Sequence, residues 1–238
     1  MRCNKGTMAF TLDKVVLWGR SFEEYVLMFS LSEEDLKKRI LGCGDGPASF
    51  NSVLAKRGGK VISIDPIYKF SNSEIRQRID ETYEEVLDQI KKNMQEFVWN
   101  HIGSVEEVGR ARMKAMGEFL SDYPIGLKEG RYIEASLPVL PFQDKEFDIA
   151  LCSHLLFLYS EQLSEDFHID SIRELCRVAE EVRIFPLLEL GSRKSRHLGS
   201  VLNECKDYSV EILPVEYEFQ KAGNKMLRVK SDKDTQPC

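Results

Sequence analysis

The feature that most constrains this chain is a strand, a glycine-rich turn, a helix and a second strand closed by an acid, all within residues 39–66. Arg39–Leu41 reads as the end of a short strand and Gly42-Cys43-Gly44-Asp45-Gly46-Pro47 as a turn. Ala48–Arg57 then reads as a helix stopped by Gly58-Gly59, and Lys60–Ile64 as a β-branched strand running into Asp65-Pro66. Parallel strands need a helical crossover, so the unit predicts a mostly parallel, Rossmann-like α/β sheet. Glycines at 42, 44 and 46 let the backbone turn sharply and leave bare main chain for a ligand. Pro47 suits a first helical turn, whose N–H groups are free to meet that ligand. Asp65 lies 19 residues beyond Gly46 and offers two acceptor oxygens to a vicinal diol. Nucleoside and dinucleotide cofactors use this arrangement. The loop reads G-x-G-x-G-P rather than G-x-G-x-x-G, and Asp45 opposes a pyrophosphate, which disfavours a nicotinamide dinucleotide and with it an oxidoreductase.

Around this unit the pattern is that of one domain. Phe22, Tyr25, Met28 and Phe29 stand at helical spacing behind Ser21, a capping residue with Glu23 and Glu24 in the first turn. Ser32-Glu33-Glu34-Asp35 predicts a second short helix. Residues 71–120 carry apolar side chains every three to four positions, interrupted at Gly103-Ser104, which predicts two long helices where a crossover needs one. The surplus, residues 71–127, reads as a helical insertion after the second strand, packed beside the sheet as a cap or lid. Strands follow at Tyr132–Ala135, Phe147–Ser153 and Glu181–Leu187, with a crossover helix at Ile169–Ala179. Tyr208–Phe219 and Lys225–Val229 predict a C-terminal antiparallel hairpin with a short turn at Gln220–Asn224. The expected layout is a lid over residues 10–37, the cofactor-binding unit at 38–66, the insertion, the rest of the sheet at 131–230 and a polar, frayed tail at 231–238.

The 238 residues suffice for one sizeable core, and a formal charge of −6 argues against a dedicated nucleic-acid binder. The short basic clusters Arg110–Lys114 and Arg193–Arg196 read as solvated faces. No signal-peptide pattern and no apolar run of membrane length is visible, so the expectation is a cytoplasmic chain with no membrane or DNA partner. Six scattered cysteines without a CxxC motif predict reduced thiols and no metal.

Ile40-Leu41-Gly42-Cys43-Gly44-Asp45-Gly46 and Val61-Ile62-Ser63-Ile64-Asp65 resemble the first two motifs of class I S-adenosylmethionine (SAM)-dependent methyltransferases. Tyr132-Ile133-Glu134-Ala135-Ser136, with Leu137–Phe142 after it, resembles the third, and Phe147–His154 the strand that follows. The resemblance implies SAM as cofactor and methyl transfer as activity. Gly42, Cys43 and Gly44 would line the methionine part, Asp65 with Pro66 the ribose, Glu134 and Ala135 the adenine, and Ser153 and His154 the sulfonium. An N-terminal helix often closes such sites, which would put Arg20 at the cofactor carboxylate with Trp18, Phe22 and Tyr25 as walls; a helix that simply packs into the core is the equal alternative. One departure stands out. The family usually carries an acid two positions before the first glycine, where this chain has Ile40, and Asp45 or an N-terminal residue is the substitute.

Methyl transfer from a sulfonium needs alignment and desolvation, and a base only when the acceptor must lose a proton. His154 is the candidate base, against a reading as a strand-end cap. Tyr159 and Glu161 read as acceptor-facing or merely exposed, His168 with Asp170 as the start of a helix, and His101 and His197 as surface. A small-molecule acceptor is favoured, protein and RNA acceptors stay open, and a non-catalytic module binding SAM or its demethylated product is the alternative to an enzyme.

Overall fold

The computed structural model describes residues 17–99 and 102–230, so His101, residues 10–16 of the expected lid and the expected frayed tail at 231–238 lie outside the described residues. Among the described residues the chain builds α1 (Phe22–Phe29), β1 (Arg39–Cys43), α2 (Phe50–Lys56), β2 (Lys60–Ile64), α3 (Asn72–Lys92), α4 (Val105–Lys128), β3 (Tyr132–Ile133) and β4 (Phe147–Ser153). α5 (Glu165–Val178), β5 (Ala179–Phe185), β6 (Leu188–Glu189), β7 (Arg193–Lys194), α6 (Leu198–Glu204), β8 (Ser209–Pro214) and β9 (Lys225–Lys230) follow.

The main sheet has seven strands in the order β3-β2-β1-β4-β5-β9-β8. The first five run parallel and the last two join antiparallel, which is the Rossmann-like arrangement expected. The reversal of direction between β2 and β4 falls at β1, so the carboxyl ends of β1 and β4 open a crevice where such sheets hold ligands. Strand alternation sends side chains to both faces. Leu41, Ala150 and Cys152 pack with Ile172, Leu175 and Leu198 on one side, while Ile40, Ile149 and Leu151 pack with Tyr25 and Phe50 on the other. Both layers are apolar, which is why β1 and β4 are buried almost throughout.

Caps set several helix starts. Ser21 and Glu24 form a reciprocal capping box on α1, and Ser71 and Glu74 do so on α3. Ser164 caps α5, so that helix begins four residues before the expected Ile169. Ser32 bonds Asp35 N, but the predicted second helix closes as a single 3₁₀ turn, Asp35–Lys37. Arg183 on β5 donates to the Phe29 carbonyl and pairs with Asp35 and Glu181, fastening the N-terminal segment to the sheet.

Four expectations are corrected. The C-terminal strands pair antiparallel, but the first ends at Pro214, so a ten-residue crossing, 215–224, replaces the short turn. That crossing is held by segment 94–99, with Val98 N donating to Phe219 O at 2.7 Å and Lys221 N to Glu96 O at 2.8 Å. The third strand spans only Tyr132–Ile133, so Glu134 and Ala135 stand beyond it. The small β6–β7 pair and α6 were not foreseen. Arg112, read as part of a solvated cluster, is fully buried on α4.

Candidate functional site

The glycine turn leaves β1 with Gly44 in left-handed geometry (φ 66°), its N–H donating to Ile64 O at 2.9 Å. A Cβ at residue 44 would meet Leu155 Cδ2 at 2.5 Å. Asp45 folds back, and its carboxylate sits where a Cβ on Gly42 would lie, 1.9 Å from Oδ2. Tyr25 Oη donates to Asp45 Oδ1 at 2.8 Å and Ser63 Oγ to Oδ2 at 2.6 Å. Burial pushes the Asp45 carboxyl up to about 6 despite those two bonds. Asp65 is similarly raised by burial to about 6. Its Oδ2 accepts from Gly46 N and its Oδ1 from Ile67 N, both at 2.9 Å, so the turn and the second strand are tied through this one side chain. Each oxygen keeps a further lone pair.

The N-terminal segment lies directly on this turn. A Cβ at Gly19 would be 2.2 Å from Pro47 O, so only glycine permits the approach, and Ser49 N donates to Arg20 O at 3.0 Å. Arg20 Nη1 donates to Trp18 O at 2.9 Å, while its Nε is buried with no hydrogen-bond partner. Burial, and then the charge of Arg112, lower the Arg20 pKa. Arg112 is paired with Glu24, whose Oε1 also accepts from Tyr217 Oη at 2.8 Å. Burial acts to raise Glu24, but Arg112, Arg20 and the Ser21 N–H outweigh it and hold this carboxyl at about 2. Arg112 is thus ion-paired with this carboxylate, while the charge of Arg20 acts on it without a direct bond.

At the end of β4, Ser153 is followed by His154 in left-handed geometry (φ 51°), with its N–H donating to Phe185 O at 2.7 Å. Strain of this kind persists where the surroundings over-determine it, as at functional sites. His154 Nδ1 lies 2.9 Å from Ser153 Oγ, and burial together with Arg20 and Arg112 holds the ring pKa well below its usual value.

These elements enclose a cavity of about 480 Å³, within the range of roughly 300–1,000 Å³ for small-molecule sites. Of the residues expected there, Arg20, Gly44, Asp65, Pro66, Ala135, Ser153 and His154 line it. Gly42 and Cys43 are buried and lie outside its lining, and Glu134 is exposed away from it. Tyr25 is a wall, whereas Phe22 instead stacks on Phe50. Tyr159 faces the cavity, while Glu161 is exposed elsewhere. His168 is wholly buried, with both ring nitrogens on carbonyl oxygens, and His197 stands before α6.

Sequence reasoning missed the far wall: Val86 and Ile90 from α3, Glu96 and Phe97, and Tyr217, Phe219 and Gln220 from the crossing. Phe97 and Phe219 stack at 4.7 Å between centroids. No local signal marks these positions, since they meet only through the fold. Among the described residues no group of His, Cys, Asp or Glu is arranged to hold a metal ion, and no helix is long and apolar enough to cross a membrane. The described cysteines are buried and free, with Cys152 pushed up by burial to about 12.

No family model matches the chain. The uncharacterized protein MJ0045 of Methanocaldococcus jannaschii is 38% identical over 224 residues, covering 92% of this chain and 97% of that protein. Among solved structures, the magnesium protoporphyrin IX methyltransferase of Synechocystis PCC 6803 with bound SAH is 13% identical, at 88% and 81% coverage and a TM-score of 0.48. A SAM-dependent methyltransferase from Aquifex aeolicus is 16% identical, at 90% and 88% coverage and a TM-score of 0.42. Likeness at that level leaves the chemistry to be read from the cavity itself.

Proposed function

We propose that this chain, which belongs to the same family as MJ0045 of M. jannaschii, binds SAM in the crevice at β1 and β4 and transfers its methyl group to a small molecule. The observation that carries this reading is the charge pattern around the glycine turn. Asp45 and Asp65 line the cavity from the turn and the second strand, and Arg20 lines it from the N-terminal segment. Two carboxylates and one guanidinium complement a ligand bearing a sulfonium, an ammonium and a carboxylate. A dinucleotide would instead set its pyrophosphate against Asp45.

In this reading Asp65 accepts the ribose hydroxyls on its remaining lone pairs, beside Pro66. Ala135 and Leu137 flank the adenine in the place expected of Glu134. Gly44 lets the methionine part approach bare backbone, and Arg20 meets the carboxylate with the buried Nε that has no protein partner. Asp45 takes the place of the acid missing at Ile40. When bound, the sulfonium supplies an activated methyl group with a neutral thioether as leaving group. Ser153 and His154 stand beside it, and His154 can receive a proton from the acceptor. The acceptor occupies the space toward Phe97, Tyr217 and Phe219, whose apolar enclosure favours a small molecule and excludes water from the transfer. The N-terminal segment and α3 act as the lid.

Calorimetry tests the reading: SAM or S-adenosylhomocysteine binds and NAD(H) does not. Tighter binding of NAD(H) overturns it. Asp65→Ala is expected to weaken S-adenosylhomocysteine binding by about 1–3 kcal/mol, the scale of losing a charged hydrogen-bond partner. Methyl incorporation from labelled SAM into small-molecule extracts separates an enzyme from a silent binding module.

A further inference from the structure

Three segments far apart in the chain meet at one buried ion pair beside the cavity. Arg112, fully buried on α4, pairs with Glu24 Oε2 of α1, and Glu24 Oε1 accepts from Tyr217 Oη of the 215–224 crossing at 2.8 Å. Tyr217 lines the cavity and Arg112 does not. Glu24 Oε2 also accepts from Ser21 N at 2.8 Å, so the carboxylate stands against the peptide that joins Arg20 to Ser21. Arg20 nevertheless forms no ion pair among the described residues. Its Nη1 donates to the Trp18 carbonyl at 2.9 Å, its Nε is buried with no hydrogen-bond partner, and its side chain lines the cavity.

The balance of charges decides what Arg20 is left to do. Arg20 and Arg112 bring two positive charges to this corner, and Glu24 brings one negative charge. Asp45 and Asp65, which line the cavity with Arg20, accept from hydroxyl and backbone N–H groups rather than from a guanidinium. A guanidinium keeps its proton near neutral pH, so the second one beside a single carboxylate is left with a charge that a buried wall tolerates poorly. Burial and the facing charge of Arg112 both oppose the charge on Arg20, and an anionic ligand group would relieve them. With Arg112 neutralised, Glu24 would have Arg20 as its remaining cationic neighbour, and the guanidinium would turn to it.

We infer that Arg112 is a positioning residue for ligand selection: it takes Glu24 as its own counter-ion, keeps the cavity-lining guanidinium of Arg20 clear of that carboxylate, and so reserves Arg20 for the carboxylate of the ligand's amino-acid part. The inference rests on the SAM reading of the cavity. It adds that the cavity distinguishes S-adenosylhomocysteine from the same molecule without its carboxylate. The distinction is set from α4, by a residue the ligand never touches.

The test is calorimetry of the full chain at pH 7.5 with S-adenosylhomocysteine and with decarboxylated S-adenosylhomocysteine. The wild type is expected to prefer the carboxylate-bearing ligand by about 10- to 100-fold, the scale of one charged hydrogen bond. Arg112→Met should reduce that preference by about tenfold or more, through weaker binding of S-adenosylhomocysteine alone. Arg112→Gln, which can still bond Glu24 and Tyr217 but carries no charge, should do the same, and it replaces Arg112→Met if that variant does not fold. Adding Glu24→Gln to either variant removes the competing carboxylate and should restore the preference, which a mere loss of packing at α4 would not allow. Thermal melting first checks that each variant is folded. A preference unchanged by the Arg112 substitutions, or one that Glu24→Gln fails to restore, overturns the inference. A wild type that binds both ligands equally overturns it and leaves the SAM reading standing, whereas a wild type that binds neither overturns both.

Discussion

At the scale of single residues, the site depends on backbone contacts that tolerate no side chain. Gly19 touches Pro47 O so closely that a methyl group there would lie 2.2 Å from it. Backbone cannot yield as a flexible side chain does, so Gly19→Ala must push the N-terminal segment off the turn. The expected cost is about 1–3 kcal/mol, the range for inserting carbon into a packed interior. Urea unfolding reads that loss, and calorimetry should show weaker S-adenosylhomocysteine binding because Arg20 moves with the segment. Gly117 on α4 has open space around its Cβ position, so Gly117→Ala is the control and should be neutral or slightly stabilising. Gly42, Gly44 and Gly46 were visible as a turn in the sequence. Gly19 was not, because its partner lies 28 residues away and nothing local demands a glycine there.

At the scale of elements, α1 does more than its amphipathic spacing suggests. Glu24 completes the capping box, pairs with Arg112 from α4 and accepts from Tyr217 in the 215–224 crossing. Glu24→Ala strands Arg112 without a counter-charge in a fully buried position. Breaking a buried pair this way typically costs about 3–5 kcal/mol. Arg112→Met in the same background should recover much of that loss, since an apolar side chain leaves no uncompensated charge. Chemical denaturation of the two variants checks the order, and a double variant no more stable than Glu24→Ala would contradict the pairing. The helices and most strands were legible from periodicity and caps. The length of the crossing was not, because Tyr208–Phe219 alternates well enough to pass as one strand, and only the register with β9 ends it at Pro214.

At the scale of the whole molecule, four carboxyls give stability two opposing pH dependences. Asp45 and Asp65 are raised to about 6 in the fold. Their favourable contribution is full below the ordinary Asp value near 4 and is lost as pH rises through about 6. Glu24 and Asp35 are lowered to about 2, so their contribution is present above the usual carboxylate range and is lost as pH falls toward 2. Between about pH 4 and 6 the two Asp groups act to lower the stability of the ligand-free protein as pH rises, against the buried His154 and His168, whose lowered pKa values act to raise it. Thermal melts of the wild type and Asp65→Asn from pH 3 to 8 isolate one such group: the variant is expected to lose less stability as pH rises through about 6, and an unchanged difference across that range would count against the raised carboxyl. Cofactor affinity should move the other way, falling as Asp45 and Asp65 are protonated below about 6.

The sequence by itself determined the βαβ unit, the sharp glycine turn and the acid at its exit, because each is set by neighbours within a few residues. The tertiary structure alone decided which side chains meet in and around the cavity. Asp45 finds Tyr25 and Ser63, Arg112 finds Glu24, and Phe97 finds Phe219, in each case across many residues of chain. Local periodicity carries no information about such meetings. They exist because the crossovers return these segments to one end of the sheet, where burial makes every unpaired charge costly and so dictates its partner.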